Sequence, residues 1–415
     1  MDNSLHLNTL LTRFQAVRMK TIDLVKHLSV EDMVVQSDDF VSPIKWHLGH
    51  TTWFFENFIL KKYSNKFKAF NKNFNYIFNS YYNSVGKFNP KTNRGLLIRP
   101  ELRNIYEYRQ NLEEEIENLI YQNTKNKNLL LLIELGINHE EQHQELILMD
   151  ILNIYFSSPI RPVYNKKNKS IRRKGFQANW YNKDLINFNY WADDNEFSYD
   201  NEKPRGLMEL SPFSLNKNFV TNQEWLEFMK SGGYEKPEFW LSDGWEFIKK
   251  NNITMPLYWL DTSYKYDLNG VHKIIDNEPV SHISFYEADA YSKYKSKRLP
   301  TEFELEYFLK KHELSGNFLE SNFLHPKNFS SNDIDKNAFG NLWCWTSSNY
   351  IPYKNFRPFK GILGEYNEKF MCNQFVLKGG SFGTPKNHIR STYRNFYYPH
   401  DRWHFSGLRL AEDLS

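Results

Sequence analysis

The sequence predicts an α+β protein in two parts: a four-helix bundle over residues 1–160, then a loop-rich, mixed α+β domain over residues 161–415. Three observations predict it. Long apolar periodicities with few glycines fill the first part, while short apolar runs rich in Trp and Tyr, broken by turn pairs, fill the second. The 415 residues also exceed the about 150 typical of one domain.

In the first part an early helix is expected over residues 4–28. Ser42-Pro43 reads as an N-cap followed by proline at the first helical position, and Ile44, Leu48, Phe54, Phe55 and Phe58 mark an apolar face running to about Tyr63. Pro100 opens a third helix with Leu102, Ile105, Tyr106, Tyr108 and Leu112 ahead of the acidic run Glu113 to Glu115. A fourth runs from about Lys127 to Tyr155, and four such helices make a bundle. Between Ser157 and Phe176 lie two prolines and seven Lys or Arg with no acid, which reads as a solvated linker. Beyond it, Gly232-Gly233, Asn269-Gly270 and Gly379-Gly380 mark turns between short strands. One helix stands out there, after Thr301, whose pairing with Glu304 forms a capping box.

Composition narrows the function. Hydrophobic residues at 40% and charged residues at 25% are those of a globular chain, which excludes disorder as the main state. Lys+Arg 53 against Asp+Glu 49 leaves only +4, so neither a nucleic-acid grip nor a membrane anchor is supported, and a small-molecule partner is expected. Two cysteines, Cys344 and Cys372, make no disulfide framework and no CxxC zinc site. The N-terminus has no cationic start with a continuous apolar stretch, and the greasiest run, residues 128–137, is interrupted by Glu134. A soluble, cytoplasmic protein is expected.

The sharpest motif is His139-Glu140-Glu141-Gln142-His143. Two histidines four apart on a helix project from one face, as two ligands of one metal must. Read literally this is HExxH, the zinc-peptidase signature. The third ligand of either common form is missing, however: Met149 stands where the extended form needs His, and no Glu occurs between Glu145 and Glu196. A third histidine from a facing helix is then required, and Trp46-His47-Leu48-Gly49-His50 offers two, of which His50 is favoured because Gly49 beside it permits close helix approach. Three neutral imidazoles leave coordination positions open for O2 and substrate, which suits iron, although spacing alone does not choose iron over zinc.

At these residues the chain resembles the ergothioneine-biosynthesis sulfoxide synthases (EgtB-type hercynine oxygenases), which are related to the ovothiol-pathway sulfoxide synthases. The resemblance covers SPIKWHLGHTTWFFE at 42–56, NSYYNSVG at 79–86, INHEEQHQELILMDI at 137–151, GGYEKPEFWLSDGW at 232–245 and HIRSTYRNFYYP at 388–399, among other stretches in the same order. It implies a DinB-like four-helix bundle followed by a formylglycine-generating-enzyme-like, C-type-lectin-type domain. It also implies a mononuclear Fe(II) held by His50, His139 and His143, with His47 left without a role.

The same resemblance implies that Gln142, Asn395 and Phe396 seat hercynine, a trimethylated histidine whose quaternary ammonium asks for aromatic faces and amide oxygens. Tyr81 and Tyr82 resemble tyrosines that deliver a proton during oxidation. Cys344 and Cys372 stand outside the thiol motif of the formylglycine-generating enzyme, so that activity is not expected. In the branch that uses γ-glutamylcysteine, an Asp and an Arg hold the glutamyl group; here Tyr397 and Asp401 occupy those positions, which points to free cysteine as donor. Lys87, Lys91 and Arg94 are the nearest cations in sequence for its carboxylate. The ovothiol enzymes usually continue into a methyltransferase domain, so a chain ending at Ser415 is expected on the ergothioneine side. Histidine as acceptor, a selenium donor, and a non-catalytic module that only binds metal and ligand are the alternatives.

Overall fold

The structure, a computed structural model, describes residues 3–123, 125–165, 179–190, 196–327 and 337–414, with side chains from Thr9 onward. The chain divides into two compact units, Met1–Pro159 and Ile160–Ser415. From residue 166 onward the predicted basic linker lies outside the described residues.

The first unit is helical. α1 (Asn3–Val25), α2 (Ile44–Phe55), α5 (Leu102–Gln122) and α6 (Lys127–Ser157) are its long helices; α3 (Lys61–Tyr63) and α4 (Phe74–Ile77) are single turns. α2 runs on through a π-helical turn, Glu56–Leu60, into α3. All twelve residues of α2 are buried, so it is the central rod of the bundle, enclosed on every side. α1 and α6 pack together, and α2 lies against both α5 and α6. Gly136 lets α2 and α6 meet closely, since a Cβ there would stand 2.6 Å from the Phe55 ring.

Two local expectations are corrected. Pro43, not Ser42, occupies the N-cap position of α2. The Ser42 hydroxyl is instead taken by the buried Arg94, whose Nη1 donates to it at 2.9 Å, and the Ser42 N–H donates to Asp150. Gly49 does make room, but for a ring and not a helix: a Cβ there would collide with Phe78 at 2.2 Å.

The second unit is loop-rich and mixed. Its largest sheet has the strand order Asn395–Tyr397, Phe375–Lys378, Trp343–Asn349, Ser406–Gly407, with the last pairing parallel and the others antiparallel. A three-stranded sheet joins Trp180–Lys183, Phe213–Asn216 and Ala411–Asp413. The Asn269-Gly270 turn closes a hairpin between Tyr264–Asp267 and Gly270–Lys273, where Gly270 has φ +98° and no side chain would sit comfortably. Besides the expected helix Glu302–Lys310, the unit holds Asn222–Lys230, Ser242–Lys250 and Phe285–Tyr294. Thr221 with Glu224 and Ser284 with Glu287 form the same capping box as Thr301 with Glu304, a signal present in the sequence but read only once. Among the described residues no helix is long and apolar enough to cross a membrane.

One buried histidine gives this unit a pH dependence. Burial, then the nearby Lys265, pushes His282 down to about 3. The unfolded chain, with an ordinary value of about 6.5, binds the extra proton first, so stability present above pH 6.5 is lost as pH falls towards 3. The slope is about 1.4 kcal/mol per pH unit for one such group. Urea unfolding at pH 7 and pH 5.5 measures it. Because His282 has φ +61°, which Asn tolerates, His282→Asn should lower the measured slope by the share of one such group and leave that of His404 and the other buried histidines; an unchanged slope would assign the dependence to those groups alone.

Candidate metal centre

Helical spacing brings the predicted ligands together. His139 and His143 are one turn apart on α6, His50 projects from α2, and both helices meet at their buried faces. A ligand nitrogen from each of His50, His139 and His143 lies within 4.8 Å of the others, and all three residues are buried. His50 Nε2 and His139 Nε2 are 3.2 Å apart. Two nitrogens each about 2.1 Å from one ion are held about 3 Å apart in this way.

The hydrogen bonds favour nitrogens that are free to ligate. His50 Nδ1 donates to the Phe78 carbonyl at 2.6 Å, which leaves Nε2 as a lone pair. His143 Nδ1 lies 2.8 Å from His47 Nδ1, so its Nε2 is likewise left over. Burial first, then the neighbouring imidazoles, holds His50, His139 and His143 well below the ordinary histidine range. All three are therefore neutral at pH 7, the state a metal ligand needs. The donor set fits one divalent transition-metal ion.

Glu140 rules out the peptidase reading of HExxH. Its fully buried carboxylate accepts from Arg18 Nη1 at 2.9 Å and from Arg109 Nη2 at 2.8 Å. Burial pushes its pKa up, but the two guanidiniums outweigh burial and hold it below the usual range. A carboxylate locked between two arginines is a structural ion, not a general base.

Aromatic rings wall the site. Trp46 stacks on His50 at 4.6 Å and 8°, Trp53 stacks on His50 at 5.5 Å and 21°, and Phe54 stacks on His139 at 4.2 Å. Tyr82 is fully buried, 5.8 Å from Trp53 and 5.0 Å from Phe58, while Tyr81 is half-buried and stacks on Tyr82 at 4.6 Å. Gln142 is half-buried, three residues after His139 and so near the same helix face. Of the three cations, Lys87 and Lys91 are exposed. Arg94 is not a surface residue: it is buried, with Cζ 3.4 Å above the Trp46 ring, and burial pushes it down to about 9. Trp46 and Asp150 also lie beside the predicted ligands without having been read as part of the site, and His47, left without a role by the resemblance, stands 2.8 Å from His143.

Asn395 and Phe396 belong to the second unit, on the edge strand of its largest sheet. Arg394 pins this strand by donating to Glu302 through Nε at 2.9 Å and Nη2 at 3.1 Å. Phe396 stacks on Tyr350 at 4.0 Å, and the Asn395 side-chain oxygen accepts the Phe396 N–H. Tyr397 stacks on His404 at 3.9 Å, and Asp401 caps the following turn by accepting the Tyr398 N–H. Cys344 is buried and its thiol is pushed up to about 11 by burial, so it stays protonated.

Comparisons with known proteins agree with this architecture. The sulfatase-modifying factor enzyme 1-like domain matches residues 187–339 and 320–414, and the DinB superfamily matches residues 13–147. The chain is 28% identical over 302 residues to the hercynine oxygenase of Mycobacterium tuberculosis, covering 67% of this chain and 70% of that one. It is 30% identical over 244 residues to the hercynine oxygenase of Mycolicibacterium smegmatis, covering 52% and 56%. The hercynine oxygenase of Mycolicibacterium thermoresistibile is 29% identical over 307 residues, covering 67% and 68%. With more than half of its residues matched by one family and a DinB-superfamily match preceding them, the chain belongs to the sulfatase-modifying factor enzyme 1-like family and is similar over most of its length to hercynine oxygenases.

Proposed function

We propose that the protein is an Fe(II)- and O2-dependent oxygenase that joins the sulfur of cysteine to the imidazole C2 of hercynine and leaves that sulfur as a sulfoxide. The observation that carries this reading is the convergence of three buried, neutral imidazoles among the rings of Trp46, Trp53 and Phe54. Overall, the C2–H and S–H bonds break, a C–S bond forms, one oxygen atom of O2 goes to sulfur and the other leaves as water. Iron bound by His50, His139 and His143 supplies the one-electron chemistry that O2 activation needs and that side chains lack.

The chain's own residues do the rest. Gln142, near the His139 face of α6, holds the trimethylammonium of hercynine with its amide oxygen, since a quaternary nitrogen has no hydrogen to donate; Asn395 and Phe396 offer the same chemistry, an amide and an aromatic face, on the second unit. Arg94 takes the donor's carboxylate, as the one cation of the three packed into the wall beside His50. The buried aromatic wall excludes water. Tyr82 Oη, or Tyr81 Oη beside it, delivers the proton that commits oxygen to the sulfoxide and water.

Two results follow. Tyr82→Phe should retain metal and substrate binding yet move product from sulfoxide to cysteine sulfinate, in which both oxygen atoms of O2 end on sulfur. An unchanged product ratio clears Tyr82 of this role. Oxygen uptake with cysteine and with γ-glutamylcysteine, each with hercynine, then reads the donor: faster uptake with cysteine agrees with Tyr397 and Asp401 at the glutamyl positions. Faster uptake with γ-glutamylcysteine would reverse the donor assignment and leave the reaction class intact.

A further inference from the structure

His47 is buried on α2, three residues before His50 and therefore on nearly the same face. Its Nδ1 lies 2.8 Å from His143 Nδ1, and its Nε2 lies 2.8 Å from Asp150 Oδ2. That same Asp150 oxygen accepts the Ser42 N–H at 2.9 Å. Asp150 is seven residues after His143 on α6, two turns along one face. A continuous chain thus runs from Ser42 through Asp150 and His47 to His143.

Donor and acceptor arithmetic gives the chain one direction. An ionised carboxylate only accepts, so His47 Nε2 carries its hydrogen. Neutral His47 then has only a lone pair on Nδ1, so His143 Nδ1 must be the donor between the two rings. His143 is left with an open lone pair on Nε2. The reverse tautomer of His143 would put hydrogen on Nε2 and set two ring lone pairs against each other at 2.8 Å. His50 is fixed in the same sense by the Phe78 carbonyl.

We infer that His47 and Asp150 are positioning residues that lock His143 as the Nε2-open tautomer and hold its ring plane for metal binding. The inference rests on reading His50, His139 and His143 as the ligands, and goes beyond it by assigning roles to two residues outside that set.

The test is anaerobic titration of the metal-free, full-length chain with Co(II) or Fe(II) alone, reading affinity and the visible spectrum of the Co(II) form. His47→Phe fills the space but neither accepts nor donates. It should weaken metal affinity by about 10- to 100-fold and shift the Co(II) absorption. His47→Gln keeps an acceptor towards His143 and a donor towards Asp150, and should recover most of the affinity. Asp150→Asn keeps the acceptor and Asp150→Leu does not, so this pair repeats the comparison should His47→Phe fail to fold. Native affinity and spectrum in His47→Phe, or in Asp150→Leu, would overturn the relay while leaving the ligand set standing. Equal losses in the Gln and Phe variants at unchanged melting temperature would overturn it as well. A native chain that binds neither ion would remove the ligand assignment itself.

Discussion

His139→Ala or His143→Ala should take Fe(II) binding from stoichiometric to undetectable. Each imidazole is buried and offers one of three nitrogens within 4.8 Å, and no fourth His, Cys, Asp or Glu joins the group among the described residues. Losing a direct ligand therefore costs more than the about 10- to 100-fold that a supporting residue costs. The fold should survive, because both rings are neutral and their removal leaves no unpaired charge. Iron content per chain after anaerobic loading and desalting reads the result. Stoichiometric iron in either variant would end the assignment of that histidine.

The second large effect falls on stability. Glu140→Ala should destabilise the bundle by about 3–5 kcal/mol, the range for removing one member of a buried ionic group. Glu140 bridges Arg18 and Arg109, both almost fully buried. Arg18 also donates to Thr52 and Arg109 to Thr51, so the network ties α1 and α5 to the central α2 as well as to α6. Glu140→Gln, which keeps one acceptor, should lose less. Urea unfolding measures both variants. A loss under about 1 kcal/mol in Glu140→Ala would show that the arginines find other partners, and would reopen a functional role for this carboxylate.

Much of this site was legible because helical spacing is local. His139 with His143 announce themselves by period alone, whereas the choice of His50 over His47 on a second helix rests on Gly49 and on the resemblance; the apolar runs around them place both helices in a core. What failed to show were contacts made across helices. The Arg94 guanidinium over Trp46 joins residues far apart in sequence, and nothing in the texture of residues 87–94 separates a buried arginine from the exposed Lys87 and Lys91. Asp150 could have been found: it lies eleven residues after His139, three full turns, and so on the same face as both α6 histidines. The π-helical turn at Glu56–Leu60 has no local signature, since it continues the apolar face of α2. In the second unit the mixed class was readable from its turns, but two capping boxes were passed over although their helices, nine and ten residues long, are no shorter than the one that was read.

The most direct test of the account is to load the protein anaerobically with Fe(II), add hercynine and cysteine, admit air and identify the products by mass spectrometry. The account predicts hercynylcysteine sulfoxide, formed only with both substrates and absent in His139→Ala. Consumption of O2 without any product joining sulfur to the imidazole, or no consumption at all with either thiol, would contradict it.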